Sequence, residues 1–176
     1  AFDSNHVGIV GEDGKMDLYD GNLRAIDAEG NKIFDQVEPK DYLDYIREEV
    51  RPWSYMKFPY IKSLGKEKGW YRVGPLARVN VCDYIDSEIA EKERQEFMAL
   101  GGGKPINASM AYHWARMIEL VHSAEKMKEL LNDPDLQKDD LVRSGERQDT
   151  GIAWLEAPRG TLFHHYEVDG ETDQIK

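Results

Sequence analysis

Short apolar runs alternate with acidic turns in the first 36 residues of the chain. Val7, Ile9 and Val10 precede the turn Glu-Asp-Gly-Lys at 12–15, and a second apolar run precedes Asp20-Gly21. Glycine in such turns accepts the positive φ that tight hairpins require. The pattern predicts a small antiparallel β meander over residues 1–36. Its acidic turns lack the spaced carboxylates of a calcium-binding loop.

In the middle of the chain, residues 38–132, apolar residues recur at helical spacing. We therefore predict that this region is mainly helical. Apolar residues recur at every fourth position after Pro39, which predicts a helix that ends near residue 50. The recurring residues are Tyr42, Ile46 and Val50. A charged segment over 84–99 predicts another helix. Its inward-facing residues are expected to be Ile85, Ile89 and Phe97.

The longest predicted helix covers residues 107–131 and is expected to begin at Asn107 as its N-cap. Its apolar positions form a wide face, which favours burial on more than one side. These positions are Met110, Trp114, Met117, Ile118, Val121, Met127 and Leu131. In an isolated chain this face would lack a cover, so we expect dimerisation or aggregation.

The last ordered element predicted is a β hairpin over residues 150–170, with strands at 152–157 and 162–168. His164 and His165 are neighbours on one strand, so their side chains point to opposite faces and cannot readily hold one metal together. The whole pattern predicts an α+β fold. The length of 176 residues favours a single domain, 1–176.

Composition excludes several classes of function. The net charge of −11 argues against a nucleic-acid partner, because binding to phosphates requires clustered Lys and Arg. No apolar run is long enough to suggest a membrane span. The single cysteine, Cys82, cannot form an internal disulfide, and we expect it to pack as a small hydrophobic residue.

The segment Glu-Ala-Pro-Arg-Gly at 156–160 holds a cation next to an apolar strand. Pro158 fixes its own φ, and Gly160 lets the backbone turn. Arg159 would then present a permanently charged fork of five N–H donors. On spacing alone, an ordinary ion pair between Arg159 and a surface carboxylate is the favoured explanation of the same pattern.

Three segments resemble those of [NiFe]-hydrogenase large subunits, in the order that the family has them. The first is Trp-Ser-Tyr-Met-Lys-Phe-Pro-Tyr-Ile-Lys at 53–62, which resembles cytoplasmic members that reduce NAD, F420 or viologen dyes. The second is Gly-Pro-Leu-Ala-Arg at 74–78, and the third is Glu-Ala-Pro-Arg-Gly with the following Leu162 and His164. The resemblance implies a catalytic large subunit from a cytoplasmic enzyme.

That resemblance also implies a site and its partners. Pro158 and Arg159 match residues that cover the Ni-Fe(CN)2CO centre of the family, where a guanidinium can donate hydrogen bonds to anionic ligands. Arg159 would act by electrostatic positioning. Glu156 would orient the arginine or serve as a buried acceptor, and His164 would lie near the centre or make a structural hydrogen bond. The implied partner is an iron–sulfur small subunit, and the implied substrate is H2.

The ligands of that centre are missing, because family members hold nickel with two Cys-x-x-Cys pairs and this chain has only Cys82. The chain also begins at Ala1 rather than Met. We therefore expect an internal, catalytically inactive fragment that binds no metal by itself. Two alternatives stay open. One is a cysteine-free relative of the hydrogenases, such as the quinone-site subunit of complex I, and the other is a non-catalytic interaction module.

Overall fold

A four-stranded mixed sheet lies at the centre of the protein in a computed structural model, which describes residues 2–139, 142, 144–171 and 175. The strand order is β3-β2-β1-β6. β1 pairs antiparallel with β2 and parallel with β6, and β2 pairs antiparallel with β3. These strands are β1 (Asn5–Val10), β2 (Asn22–Ile26), β3 (Lys32–Val37) and β6 (Tyr71–Arg72).

Two separate antiparallel hairpins and five α-helices complete the described elements. The hairpins are β4 (Ile46–Val50) with β5 (Lys57–Ile61), and β7 (Thr150–Ala157) with β8 (Gly160–Glu167). The helices are α1 (Tyr42–Tyr45), α2 (Gly65–Lys68), α3 (Pro75–Val81), α4 (Glu88–Leu100) and α5 (Ala111–Leu130). Short 3-10 turns lie at Pro39–Asp41, Lys62–Leu64 and Pro134–Gln137.

The central sheet is covered on both faces, which explains why β1 is buried almost throughout. Side chains alternate between the faces of a strand. Val10 joins a core formed with α3, α4 and α5, whereas Val7 and Ile9 join a second core that includes Ile61 and Trp154 from the two hairpins. Arg24 is buried within β2, where its guanidinium bonds to Asp35 at 2.7 Å and to the carbonyl of Val81 at 3.0 Å.

The α+β prediction is confirmed, and the C-terminal hairpin forms where it was expected. The helix predicted over 39–50 is wrong beyond residue 45. Its second half is strand β4, in which Ile46 pairs with Ile61 and Val50 pairs with Lys57. Val50 is 72% exposed, so the four-residue repeat is not an apolar stripe. The pairing with β5 supplies the hydrogen bonds that a helix would have made within itself.

The long helix differs from its prediction in two respects. α5 begins at Ala111, and Asn107 does not cap it because the Asn107 side chain bonds to Ser4 and His6 instead. α5 is also not an apolar helix. Its buried residues are Ala115, Ile118 and His122, whereas Met117, Leu120, Met127 and Leu130 are exposed. Ile85, just before α4, and Phe97, within it, are buried in the core as predicted, but Ile89 is 57% exposed.

None of the described helices is long and apolar enough to cross a membrane. The arrangement of the chain as one domain stays a prediction, and the first and last residues of that domain, Ala1 and Lys176, lie outside the described residues.

Candidate functional site

The turn that joins β7 to β8 consists of Pro158 and Arg159. Ala157 pairs with Gly160 across the strands, so only these two residues lie outside the ladder. Proline lacks a backbone N–H and therefore fits a turn position where no ladder hydrogen bond is needed. Both residues are exposed. The hairpin thus places one arginine at its tip.

The residue that fixes this turn is Arg78, from helix α3. Its Nη1 donates to the backbone carbonyl of Ala157 at 2.9 Å and to Oε2 of Glu156 at 2.8 Å. Its Nε and Nη2 donate to the two carboxylate oxygens of Glu119 on α5, at 2.5 and 2.8 Å. The Arg78 side chain is only 3% exposed. A single guanidinium therefore connects α3, α5 and the start of the turn.

Glu156 is the second member of this buried network. Besides Arg78, its carboxylate accepts from the backbone N–H of Ile9 in β1 at 3.0 Å and from the Thr161 hydroxyl at 2.8 Å. Burial raises the pKa of the Glu156 carboxyl, and the Arg78 guanidinium and the Thr161 hydroxyl oppose that rise. Both oxygens of the Glu156 carboxylate therefore accept hydrogen bonds, which a buried charge requires.

Backbone packing holds the turn from the other side. Gly74 has φ of 82° and ψ of −163°, a region that is essentially restricted to glycine. A Cβ on Gly74 would lie 2.8 Å from the carbonyl oxygen of Arg159. A Cβ on Gly160 would lie 2.4 Å from a methyl carbon of Val73. The segments 74–78 and 156–160, which stand out separately in the sequence, are thus in direct contact.

Arg159 itself remains available. Its side chain makes no hydrogen bond or ion pair with any residue that the structure describes. The ordinary surface ion pair is therefore not formed within this part of the chain. Glu156 does not orient Arg159, because it is committed to Arg78.

His164 lies away from the turn. It pairs with Ala153 in the hairpin, and four residues along a strand separate it from Gly160 by roughly 13 Å. Its Nδ1 is 2.7 Å from the Tyr166 hydroxyl, and it lines a different cavity, beside Tyr19 and Pro39. His165 faces the opposite side and lies 3.1 Å from the Tyr42 hydroxyl. The structure therefore groups Glu156, Pro158 and Arg159 but not His164.

An open cavity of about 410 Å³ lies between α5 and the turn. Its walls are mainly apolar, and polar atoms of Arg78, Glu119 and Glu156 reach it. The apolar part of its lining is formed by Leu18, Met117, Leu120, Ala157 and Pro158. The turn therefore borders a mainly apolar recess in which Arg78, Glu119 and Glu156 are bonded to one another, and which Arg116 also lines.

The described residues do not fit the ligand set of a nickel–iron centre. Such a centre requires thiolates. Cys82 is buried in the helical core, where burial raises the pKa of its thiol to about 12 and keeps it protonated. No cluster of three or more His, Cys, Asp or Glu side chains in the described ranges could hold a metal ion. We therefore derive no chemical step through a metal bound by these residues.

Arg78 and Glu119 belong to the site although the sequence did not predict them there. A signal for Arg78 exists, because it stands among Leu76, Ala77 and Val79 in a short apolar helix, where a charge must be paired. Glu119 carries no comparable signal. Only the packing of α5 against α3 shows that it faces Arg78.

Comparison with known proteins finds similarity to hydrogenase subunits. No family model matches the chain. It is 46% identical over 168 residues to NAD-reducing hydrogenase HoxS subunit beta of Cupriavidus necator, covering 92% of this chain and 33% of that protein. It is 44% identical over 169 residues to a vhu subunit of the F420-non-reducing hydrogenase of Methanocaldococcus jannaschii, covering 96% and 40%. An iron–sulfur subunit of the F420-non-reducing hydrogenase of Archaeoglobus profundus is 44% identical, with coverage of 94% and 35%.

A solved structure has the same fold. The crystal structure of NAD+-reducing [NiFe]-hydrogenase in the H2-reduced state superposes with a TM-score of 0.92 at 46% identity. The superposition covers 99% of this chain and 39% of the solved chain. The chain thus spans between a third and two fifths of the length of the proteins it matches.

These comparisons correct two predictions. One is the assignment to the catalytic large subunit, and the other is the function that was inferred from that assignment. The Cupriavidus relative is named as the beta subunit of its enzyme, and the Archaeoglobus relative is named as an iron–sulfur subunit. None of the relatives' names describes a large or catalytic subunit. What stands is the coarser statement that the relatives are subunits of hydrogenases, which are oxidoreductases.

Proposed function

We propose that this chain forms part of one subunit of a hydrogenase and works there as a rigid support for the Pro158–Arg159 turn. The observation that carries this proposal is the superposition with the NAD+-reducing [NiFe]-hydrogenase, which extends over 99% of the chain. Because the relatives are named as subunits, the partners would be other subunits of the same complex. A cytoplasmic location stays a prediction.

The turn is suited to present a cation at a fixed position. Arg78 and Glu156 hold its backbone, and Gly74 packs against its carbonyl, so its geometry does not depend on Arg159. A guanidinium without an internal partner can donate several hydrogen bonds to an anionic group in the rest of the complex. Preorganised donors of this kind cost little reorganisation when charge develops near them.

The anionic group would be held by residues outside the described part of this chain. The name of the solved relative implies a nickel–iron centre in that enzyme, and such a centre supplies the activation of H2 when bound. Thiolate ligands for it would have to come from other segments. The contribution of this chain would be limited to Pro158, which closes the recess, and to Arg159, which donates hydrogen bonds.

The proposal is tested by Arg159→Lys in the complete hydrogenase complex. Lysine keeps the charge but loses the planar fork, so H2-dependent reduction of a viologen dye should fall by about a hundredfold. Assembly of the complex should not change, because Arg159 is exposed and holds no part of the fold. Arg47→Lys is the matched control, since Arg47 is also an exposed arginine whose side chain makes no hydrogen bond or ion pair with any residue that the structure describes.

Two results would contradict the proposal in different ways. Unchanged activity of the complex with Arg159→Lys would contradict the proposed role of the Pro158–Arg159 turn. Absence of H2-dependent activity in the assembled wild-type complex would instead remove the hydrogenase assignment.

A further inference from the structure

Arg78 divides its hydrogen bonds between two carboxylates and one backbone carbonyl. Nη1 donates to Glu156 at 2.8 Å and to the carbonyl of Ala157 at 2.9 Å. Nε and Nη2 donate to the two oxygens of Glu119 at 2.5 and 2.8 Å. The five N–H donors of a guanidinium lie in one plane and point in fixed directions. The pair with Glu119 therefore determines the direction in which the N–H groups of Nη1 point.

The contact with Ala157 is the one that reaches the turn. The carbonyl of Ala157 belongs to the peptide group that leads into Pro158. Pro158 and Arg159 are both exposed, so the turn has no buried side chain of its own to hold it. Beyond the strand ladder, the position of the turn depends on this hydrogen bond and on the packing of Gly74 against the carbonyl of Arg159.

Glu156 competes with Ala157 for the same nitrogen of Arg78. A hydrogen bond from an arginine to a carboxylate is roughly twice as strong as one between neutral groups, and arginine often binds carboxylates in a bidentate pair. Without a carboxylate on α5, the fork of Arg78 would turn toward Glu156, whose side chain is completely buried. That rotation would remove Nη1 from the carbonyl of Ala157. Glu119 prevents the rotation, because its two oxygens hold Nε and Nη2.

We propose that Glu119 is a positioning residue for Arg159. It holds Nε and Nη2 of Arg78, so that Nη1 stays on the carbonyl of Ala157 and the turn presents Arg159 in one fixed place. This inference rests on the proposed function, because the place of Arg159 matters only if its guanidinium donates hydrogen bonds within the complex. It adds helix α5 to the elements on which the turn depends.

The surroundings of Glu119 make it a selective target for substitution. Its carboxylate bonds to Arg78 and makes no hydrogen bond to any other residue in the described part of the chain. The side chain is 16% exposed and lines the open recess, so its replacement removes no large contact from the core. Glu119→Gln keeps the size of the side chain, removes its charge and places an amide N–H donor where an oxygen accepted. The substitution therefore acts on the position of Arg78.

Hydrogen exchange in the complete hydrogenase complex tests the positioning. With Glu119→Gln, the amides of residues 156–163 should exchange about tenfold faster, which corresponds to the loss of one hydrogen bond. Exchange in β2 and β3 should not change. Glu129→Gln is the matched control, because Glu129 pairs with Lys126 on the same helix, about 15 Å along the helix axis from Glu119. Unchanged exchange over 156–163, or an equal increase throughout the chain, would overturn the inference.

A double-mutant cycle tests whether the effect passes through Arg159. Glu119→Gln alone should lower kcat for H2-dependent viologen reduction by about tenfold, because the arginine is present but misplaced. In the complex with Arg159→Lys, the same substitution should lower kcat by less than about twofold, because the group that Glu119 positions is already gone. A general weakening of the structure would lower kcat by the same factor in both backgrounds, and that result would contradict the inference.

The inference and the proposed function fail in different ways. Unchanged activity with Arg159→Lys would contradict the proposed function alone, and hydrogen exchange would still decide whether Glu119 holds the turn. A large effect of Arg159→Lys, together with equal factors for Glu119→Gln in the two backgrounds, would contradict the inference alone.

Discussion

Single residues in this protein show how position decides the role of a charge. Arg78 and Arg159 both stand in Pro- and Gly-containing segments with similar sequence character. Arg78 is buried and bonds to Glu156, Glu119 and the carbonyl of Ala157. Arg159 is exposed and unpaired within the described residues. The first arginine therefore supports the structure, and the second is free to bind.

His6 is a buried histidine whose environment keeps it neutral. Its Nε2 lies 3.1 Å from Oδ1 of Asn107, and Nδ1 has no partner among the described residues. Burial lowers the pKa of His6 to about 4, with a smaller contribution in the same direction from the Arg72 charge. The hydrogen bond to Asn107 opposes this shift.

The lowered pKa of His6 predicts a loss of stability in mild acid. Between pH 6.5 and 4 the unfolded chain binds a proton at this residue and the folded chain does not. The free energy of unfolding should therefore fall as the pH falls through this window, by up to about 3 kcal/mol, and the loss should level off below pH 4. Urea unfolding at several pH values measures this dependence.

The control for this prediction is His6→Gln, which keeps a polar side chain but cannot titrate. Other groups, including His122, also contribute to the pH dependence, so the difference between the two proteins is the informative quantity. Equal slopes for wild type and variant across this pH window would show that His6 is not responsible.

At the scale of secondary-structure elements, the helical spacing after Pro39 predicts one element, and the pairing of β4 with β5 produces another. The repeat of Tyr42, Ile46 and Val50 satisfies helical spacing, yet the chain is helical only to Tyr45. A partner strand five residues long, β5, offers Ile61 as a buried neighbour for Ile46. Helix propensity is a weak preference, and tertiary pairing of this kind overrides it.

The junction between β6 and α3 depends on Gly74. Gly74→Ala should destabilise the protein by about 1–3 kcal/mol, because alanine does not tolerate φ of 82° with ψ of −163° and its Cβ would meet the carbonyl of Arg159. Chemical unfolding measures the change. Gly151→Ala is the control, since Gly151 has open space around it and no positive φ. Equal free energies of unfolding for Gly74→Ala and Gly151→Ala would mean that a Cβ at position 74 does not strain the contact with the carbonyl of Arg159.

On the scale of the whole molecule, helix α5 exposes a large apolar surface to solvent. Exposed apolar side chains on α5 and at its two ends recur mainly at spacings of three and seven residues and form one broad stripe. They are Met110, Met117, Leu120, Met127, Leu130 and Leu131. A contiguous exposed apolar surface of this kind is typical of a contact surface.

The stripe predicts that the isolated chain self-associates. Leu120→Lys with Met127→Lys should shift the population toward monomer in analytical ultracentrifugation, because two charges on the stripe prevent its burial. Gln95→Lys, on the exposed face of α4, adds a charge elsewhere and should leave the association unchanged. A wild-type chain that is monomeric at high concentration would contradict this prediction.

Local signals along the chain are enough to predict the elements that adjacent residues specify. The apolar alternation of β1, the turn glycines and the Pro158–Gly160 turn identified the meander and the C-terminal hairpin, since a strand and its turn are specified by adjacent residues. The segments at 53–62, 74–78 and 156–160 indicated similarity to hydrogenases. They did not identify the subunit correctly, because short motifs carry a family resemblance without the remainder of the chain.

The residues of the site, by contrast, are brought together by the packing of distant segments. Glu119, Arg78 and Glu156 are separated by up to 78 positions, and no periodic pattern links them. They meet because α3 and α5 pack on one face of the sheet and β7 lies against β1. The free energy of a buried charge depends on the partners that packing brings to it, so the roles of Arg78 and Arg159 could be distinguished only in the folded chain.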